Sequence, residues 1–306
     1  MLDGFTLDQL RTFIAAVDEG SFSAAGRRLG RAQSAVSQTL ATLEAQLGVR
    51  LFDRHGRLPV LTPHGRALIA QARAAAGGVD LFKARAKSLA GGLEAELAVV
   101  VDVMFPIRVL TEAVGAFQAR FPTTPLRLYV EALGAVLKPV LEGRCAFGVM
   151  GSLPTAPPQL SLERLMGVSM TMVAAPQHPL AAHPGPIPSD VLAQHVQLVL
   201  TDRSDLSIGR EFGVLSTATW RIADLGAKHA FLRAGLGWGS MPLDVVEADI
   251  AAGVLIALTF EDGPAPGGFV MPLSAVYPTA SPPGPAGRWL IERLKLEALG
   301  QEGDQP

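Results

Sequence analysis

A chain of 306 residues with 49% hydrophobic and 18% charged residues is long enough for two domains and apolar enough to bury a core in each. Its 26 basic and 28 acidic residues leave a formal net charge of −2, so bulk charge points to neither nucleic acid nor a membrane surface. A single cysteine, Cys145, excludes an intramolecular disulfide and a cysteine-based zinc cluster, and the apolar run up to Val101 falls far short of the roughly 18 to 20 residues of a membrane helix.

Met1 to Leu10 carries Asp3 and Asp8 and has no basic segment ahead of an apolar one, so the expectation is a cytoplasmic protein with no membrane partner. Leu7, Leu10, Phe13, Ile14 and Val17 form one helical stripe that stops at Gly20. Ser21 and Ser23 offer capping hydroxyls for a short helix through Leu29, with Gly30 as a left-handed stop. After the turn Gly30-Arg31-Ala32, the positions Val36, Leu40, Leu43 and Leu47 give a third helix one narrow buried face, closed by Gly48. Its free face then presents Gln33, Ser34, Ser37, Gln38 and Ala41.

Two helices joined by a short glycine-containing turn, the second with small and amide-bearing residues outward, form a helix-turn-helix. Glutamine and serine reach base edges without bulk, while arginines neutralise phosphates. Residues 20–66 hold seven arginines against two acids, a local net of +5 inside an acidic protein. Leu51-Phe52 and Leu58 to Leu61 read as two short strands around the basic tip Arg54-His55-Gly56-Arg57, which makes the module a winged helix.

Ser23-Ala24-Ala25-Gly26-Arg27-Arg28-Leu29, Gln33-Ser34-Ala35-Val36-Ser37-Gln38, Leu43 to Arg54 and Leu61-Thr62-Pro63-His64-Gly65 closely resemble the LysR-type transcriptional regulators. The resemblance implies Gln33, Ser34, Ser37 and Gln38 at the groove, with Arg54 and Arg57 in the wing; Arg31 joins the DNA-binding candidates on its charge alone. Two departures stand out. Ala32 replaces a frequent Ser or Thr cap worth roughly 1 kcal/mol, and Ala41 replaces an arginine that can touch phosphate; Arg31, in a commonly apolar turn position, restores some charge.

From Pro63 to Gly91 the positions Leu68, Ala72, Ala75, Val79, Phe82, Ala86 and Leu89 form a heptad seam, either for a partner chain or for the helix's own domain. Gly77-Gly78 interrupts it and marks a close approach or a bend. The resemblance implies a dimer-forming linker helix, hence a partly palindromic DNA site.

Beyond Gly92 strands and helices alternate. One βαβαβ half comprises strand Leu97 to Val103, helix Pro106 to Arg120, strand Leu126 to Val130, helix Gly134 to Glu142 and strand Phe147 to Met150. A second half, from about Gly167, comprises strands Ser169 to Ala174, Val196 to Leu200 and Thr217 to Ala223, helix Ala227 to Arg233, strand Gly237 to Met241, helix Pro242 to Ala251 and strand Val254 to Leu258. Phe269 to Tyr277 is a returning strand and Gly287 to Leu299 a final helix. The fold class is therefore mixed: an all-α winged helix-turn-helix with a linker helix, then a two-lobed α/β domain. The boundaries are 1–62, 63–91 and 92–306, with lobe I at about 92–166 and 269–306 and lobe II at about 167–268.

The resemblance implies a periplasmic-binding-protein-like domain that holds a small-molecule effector, with no resident cofactor. Loops at strand carboxyl ends place Asp102, Val103, Met104, Gly151, Ser152, Thr201, Asp202, Arg203, Gly226 and Lys228 at the cleft. Asp102 is either a ligand-facing carboxylate, in place of the neutral residue many members carry, or a helix cap. The glycines of Gly235-Leu236-Gly237-Trp238-Gly239 lie between helix and strand, the reverse of a dinucleotide fingerprint. His178 and His183 are five apart in a proline-broken loop and carry no metal signature, Cys145 reads as a buried hydrophobe, and no serine or acid pair has a catalytic context. The resulting expectation is a homo-oligomeric regulator that binds promoter DNA as a dimer or tetramer, responds to an effector and contacts RNA polymerase if it activates. The competing class is an enzyme or solute-binding protein with a merely structural N-terminal module.

Overall fold

The computed structural model describes residues 4–54, 58–151, 157–206, 212–261 and 268–302. The chain divides into two compact units, Met1–Gly91 and Gly92–Pro306, each built around its own core.

The first unit contains α1 (Leu7–Glu19), α2 (Phe22–Leu29), α3 (Gln33–Leu47), β1 (Phe52–Asp53), β2 (Val60–Leu61) and α4 (Pro63–Ala90). Local chemistry sets the ends of the first three helices. Thr6 and Gln9 form a reciprocal capping box on α1, with Gln9 N–H donating to Thr6 Oγ1 at 3.2 Å and Thr6 N–H to Gln9 Oε1 at 2.6 Å. Ser21 Oγ accepts from Ala24 N–H at 3.1 Å, and Gly20, Gly30 and Gly48 end their helices in the left-handed region. Ala32 supplies no side-chain cap to α3. In the helix-turn-helix itself, Arg31 N–H donates to the Gly26 carbonyl at 2.8 Å, and a Cβ on Gly26 would lie 2.7 Å from the Arg31 carbonyl oxygen. Only glycine permits so tight a turn.

The core of this unit joins Val36, Leu40 and Leu43 of α3 to Leu51 and three rings, with Phe52 meeting Phe13 and Phe22 edge-on at centroid distances of 5.7 and 5.2 Å. Glu44 staples α3 to the strand that follows, its Oε1 accepting the backbone N–H of Leu51 at 2.7 Å and of Phe52 at 3.0 Å. β1 and β2 pair antiparallel, Phe52 opposite Leu61.

The heptad seam of α4 is corrected by its packing. Ala75 is exposed and Ala76 buried, so the covered stripe runs Gly65, Leu68 and Ile69, Ala72, Ala76 and Val79. It faces the chain's own domain, where Arg73 pairs with Asp18 of α1 at 2.6 Å and Asp80 with Arg11. Past that point the apolar residues lie open, with Phe82 73% and Leu89 40% exposed and Ala86 exposed as well. The helix runs unbroken through Gly77 and Gly78, and a Cβ at either would meet nothing within 4 Å.

The second unit begins with β3 (Leu97–Asp102), α5 (Ile107–Arg120), β4 (Leu126–Glu131), α6 (Gly134–Leu141) and β5 (Phe147–Met150), whose strands run parallel in the order β4-β3-β5. Then come β6 (Leu160–Ala174), a 3₁₀ turn at Pro179–Ala182, α7 (Ser189–Leu192), β7 (Gln197–Leu200), β8 (Thr219–Ile222), α8 (Leu225–Arg233), β9 (Trp238–Pro242), α9 (Leu243–Ala251), β10 (Ile256–Ala257), β11 (Phe269–Pro278) and α10 (Pro285–Glu302). β6 is 15 residues long and starts at Leu160, well before the predicted Ser169, because its first half alternates with Leu162 turned to solvent at 54% exposure. It pairs antiparallel with β11 from Leu160 opposite Pro278 to Met170 opposite Phe269. β11 also pairs with β5, and the far end of β6 pairs with β9 and β10. The β6–β11 ribbon thus belongs to both lobes: β3, β4 and β5 lie on one side of it and β9, β7 and β8 on the other. Glu94 caps α10, accepting the N–H groups of Ala286 at 2.9 Å and Gly287 at 2.8 Å.

Gly26→Ala should destabilise the N-terminal unit by about 1–3 kcal/mol through overpacking, whereas Gly77→Ala, in an open helix interior, should stabilise it by up to about 1 kcal/mol. Urea titration of the full chain, followed by the helical circular dichroism signal, reads both midpoints.

Candidate functional site

On the recognition helix α3, Gln33, Ser34 and Gln38 are exposed and Ser37 is half-buried, a free face without formal charge. The arginines around it are held in place. Arg31 makes a bidentate pair with Asp8, both contacts at 2.7 Å, and the Asp8 hydrogen bond pushes the guanidinium further above its ordinary range. Arg54 leans back from the wing onto α3, its Nη2 donating to Glu44 Oε2 at 2.7 Å and its Nη1 to Ser37 Oγ at 3.4 Å, with its guanidinium over the Phe22 ring. Arg28 pairs with Asp18 and Glu19. The predicted +5 patch is therefore partly balanced by acids of α1 that precede residue 20. Arg57 lies outside the described residues. Arg50, exposed at the base of the wing, has no ion-pair partner among the described residues.

In the second unit the structure gathers the lobe I candidates at the carboxyl ends of β3 and β5. Asp102 is 1% exposed, and its Oδ1 accepts the Met104 N–H at 3.0 Å. It closes a local turn and does not cap α5, which begins behind Pro106 without a side-chain cap. Val103 N–H donates to the Glu131 carbonyl at 2.8 Å, and Met104 is buried with Phe105. At Gly151 a Cβ would lie 2.1 Å from Leu273 Cδ2, so the residue allows close passage of β11. Ser152 lies outside the described residues.

The lobe II candidates divide. Thr201 N–H donates to the Ile222 carbonyl at 3.0 Å, continuing the β7–β8 ladder. Asp202 crosses to lobe I, where its Oδ2 accepts the Ala135 N–H in the first turn of α6 at 2.9 Å and the Ser204 hydroxyl at 2.7 Å. Lys138 of α6 meets Asp205 of the same loop at 3.1 Å. Arg203 is exposed and lines an outer hollow with Tyr129, Glu131, Lys138 and Arg144, beside Ala135 and Ser204, the partners of Asp202. Gly226 lies exposed in the first turn of α8, where Asp224 caps the Ala227 N–H at 2.6 Å. Lys228, one turn into α8, is 1% exposed; its Nζ donates to the Ser240 carbonyl at 2.7 Å, and burial pushes its pKa down to about 8. Ala135, Ser204, Lys138 and Ser240 escaped the sequence reading. Among the described residues, Leu133, at φ 50° on the entry to α6, is the one non-glycine residue with a positive φ.

Residues 7–66 match the family model of the bacterial regulatory helix-turn-helix proteins of the lysR family, and residues 90–298 match that of the LysR substrate binding domain. The chain belongs to the LysR family of transcriptional regulators. Among its relatives, a probable HTH-type transcriptional regulator, YhaJ of Escherichia coli, is 30% identical over 257 residues, 82% of this chain and 84% of that protein. A probable hydrogen peroxide-inducible genes activator of Mycobacterium leprae is 32% identical over 248 residues, 78% of each. Among solved structures, the LysR family regulator CbnR superimposes with a TM-score of 0.56 at 21% identity over 95% of this chain and 100% of that one. CbnR complexed with its target DNA gives 0.55 at 22% identity over 96% and 100%. These folds agree with a helix-turn-helix unit followed by a two-lobed α/β domain.

This LysR-type regulator is thus a DNA-binding protein with an effector-binding domain, and not an enzyme. Its one cysteine, Cys145, is 2% exposed, and burial pushes the thiol up from its ordinary pKa. His178 lies at the start of the 3₁₀ turn, its Nδ1 accepting the Leu180 N–H at 3.2 Å and its ring edge-on to His195 at 5.3 Å. Among the described residues no three His, Cys, Asp or Glu side chains cluster to hold a metal, and no helix is long and apolar enough to cross a membrane.

Between about pH 8 and 10.5 Lys228 sheds on folding a proton that the unfolded chain keeps, and below that window it stays charged in both states. The unfolded state therefore binds more protons across that window, and the burial penalty, complete below about pH 8, is relieved as pH rises toward 10.5. Thermal unfolding across this range should show stability rising with pH, and Lys228→Met should flatten that component. Ellman's reagent should leave Cys145 nearly unreacted in the native protein and titrate it fully in denaturant.

Proposed function

We propose that this regulator acts in the cytoplasm as a homodimer or tetramer on a partly palindromic promoter site, and that a small molecule held between the lobes of its effector domain sets its contact with DNA. Residues 1–62 read DNA, 63–91 pair the chains, and 92–306 sense. The observation that carries the DNA assignment is the exposed, uncharged face of α3, flanked by arginines whose positions are set by Asp8 and Glu44. Gln33, Ser34, Ser37 and Gln38 reach base edges, and Arg31, Arg54 and Arg57 serve the backbone. Exposed Phe82, Ala86 and Leu89 on α4 support pairing of chains through the distal half of that helix. An activating form would also touch RNA polymerase.

Sensing works through the lobes. Asp202 and Lys138 tie the two rims together, and a small molecule that favours or breaks these contacts shifts the balance between lobe arrangements. Although relatives include a peroxide-inducible activator, the buried, single Cys145 favours ligand binding over thiol oxidation as this chain's input.

Fluorescence anisotropy of the full-length protein on the DNA upstream of its own gene, at several salt concentrations, tests the DNA assignment. Gln33→Ala with Ser37→Ala should weaken binding by about 1–3 kcal/mol per lost base contact. Arg50→Ala should lower the salt slope by about one, and Arg31→Ala should lower it less because Asp8 already neutralises that charge. Unchanged affinity of the double variant at every salt would remove α3 from the interface. Across a metabolite panel, the effector should raise stability by about 2.7 kcal/mol at 100 times its dissociation constant.

A further inference from the structure

In an open α/β sheet the ligand crevice opens at the carboxyl ends of two neighbouring strands whose connections leave in opposite directions. Lobe II has one such point. From β7 the chain goes to β8 on one side, and α8 then returns it to β9 on the other, giving the order β9-β7-β8. β7 pairs with β8 from Gln197 to Leu200, but with β9 only at Gln197 opposite Trp238. Two residues further along β9, past the last registered pair with β7, the Ser240 carbonyl accepts from Lys228 Nζ at 2.7 Å. Lys228 gets there by crossing Gly239. A Cβ at that glycine would lie 3.3 Å from Lys228 Cε and 2.6 Å from the Leu198 carbonyl oxygen.

An ammonium group carries three donors. Among the described residues the Lys228 Nζ has one polar partner, a neutral carbonyl, and desolvation alone shifts its proton equilibrium, with no carboxylate acting on it. The acids on the neighbouring elements act elsewhere: Asp244, at the start of α9, has its pKa raised by burial and by the nearby Glu247, with no contribution from Lys228. Asp224 caps Ala227, Asp249 meets His229 at 2.7 Å, and Asp202 faces Ala135 and Ser204 across the lobes. A buried cation without a counter-charge is a costly arrangement for structure alone, since an apolar side chain could fill the same space.

We propose that Lys228 is the anion anchor of the effector site, donating to a carboxylate or phosphate oxygen of the small molecule held at the β7–β9 crevice. The proposal rests on the reading that the lobes hold an effector and names that effector's class: an anion, met by a cation from lobe II. Arg203, on the outer hollow, is not part of this contact.

The test uses the full-length protein labelled with ¹³C at lysine Cε, the Lys228 resonance being assigned from its loss in Lys228→Arg. Sodium acetate and inorganic phosphate are titrated separately against chloride at matched ionic strength. A saturable shift of the Lys228 resonance in the acetate arm identifies a carboxylate ligand and in the phosphate arm a phosphate. Lys228→Met should weaken the stabilisation by that anion at least about tenfold, close to 1.4 kcal/mol. A Lys228 resonance unmoved by either anion overturns the proposal, even if Lys228→Met fails to fold. A metabolite that stabilises wild type and Lys228→Met equally overturns the anchor while leaving the effector reading intact, and a panel with no stabilising member counts against the effector reading itself.

Discussion

The β6–β11 ribbon is the constraint on which the sensing half depends. Its pairing spans Leu160 opposite Pro278 to Met170 opposite Phe269, with Leu165 skipped at one register shift, so neither lobe can move without twisting a long antiparallel pair. The one irregularity, a register shift between Leu273 and Ser274, falls beside the close passage at Gly151. Hinge and rim are thus distinct. The ribbon holds the lobes to a common axis, while Asp202 and Lys138 tie their edges through a few polar contacts. Packed cores resist gradual deformation, so such a layout favours two discrete lobe arrangements over a continuum.

The DNA-reading half follows a different logic, in which carboxylates position the module and arginines remain near the surface. Glu44 uses one oxygen on the backbone of Leu51 and Phe52 and the other on Arg54, so one side chain sets the angle of the wing strand and the position of its arginine. Asp18 does the same for α4 and α2, bridging Arg73 and Arg28. These pairs are exposed, and each contributes little to stability. Their effect is geometric: they fix where positive charge sits around a helix whose reading face has none.

What could be read from the sequence divides by distance along the chain. Stripes such as Val36, Leu40 and Leu43, the stops at Gly20, Gly30 and Gly48, and the Ser21 cap are local, and all appear where the pattern puts them. The charge of residues 20–66 was legible but its partners were not, because Asp8 lies 23 residues from Arg31. The linker seam slipped by one residue at Ala75 and Ala76 because alanine suits a buried and an open helix position alike. Asp202 could be placed at a strand end, yet nothing near it in sequence announces Ala135, 67 residues away. Lys228 was marked by position alone. That it lies buried against one carbonyl follows from the packing of α8 across Gly239 of β9, which no local pattern encodes.

The tie between the lobes has a consequence for how the molecule responds to ionic conditions. Asp202 meets a backbone dipole and a hydroxyl at partly buried sites, contacts that mobile ions screen weakly even as the exposed Lys138–Asp205 pair beside them weakens. Phosphate contacts on DNA lose affinity steeply as salt rises. The two halves of one polypeptide therefore have unequal sensitivity to the same variable. A cell whose internal salt climbs under osmotic stress would loosen the grip on the promoter well before it disturbed the state of the sensor, so occupancy of the DNA reports ionic strength and lobe arrangement together.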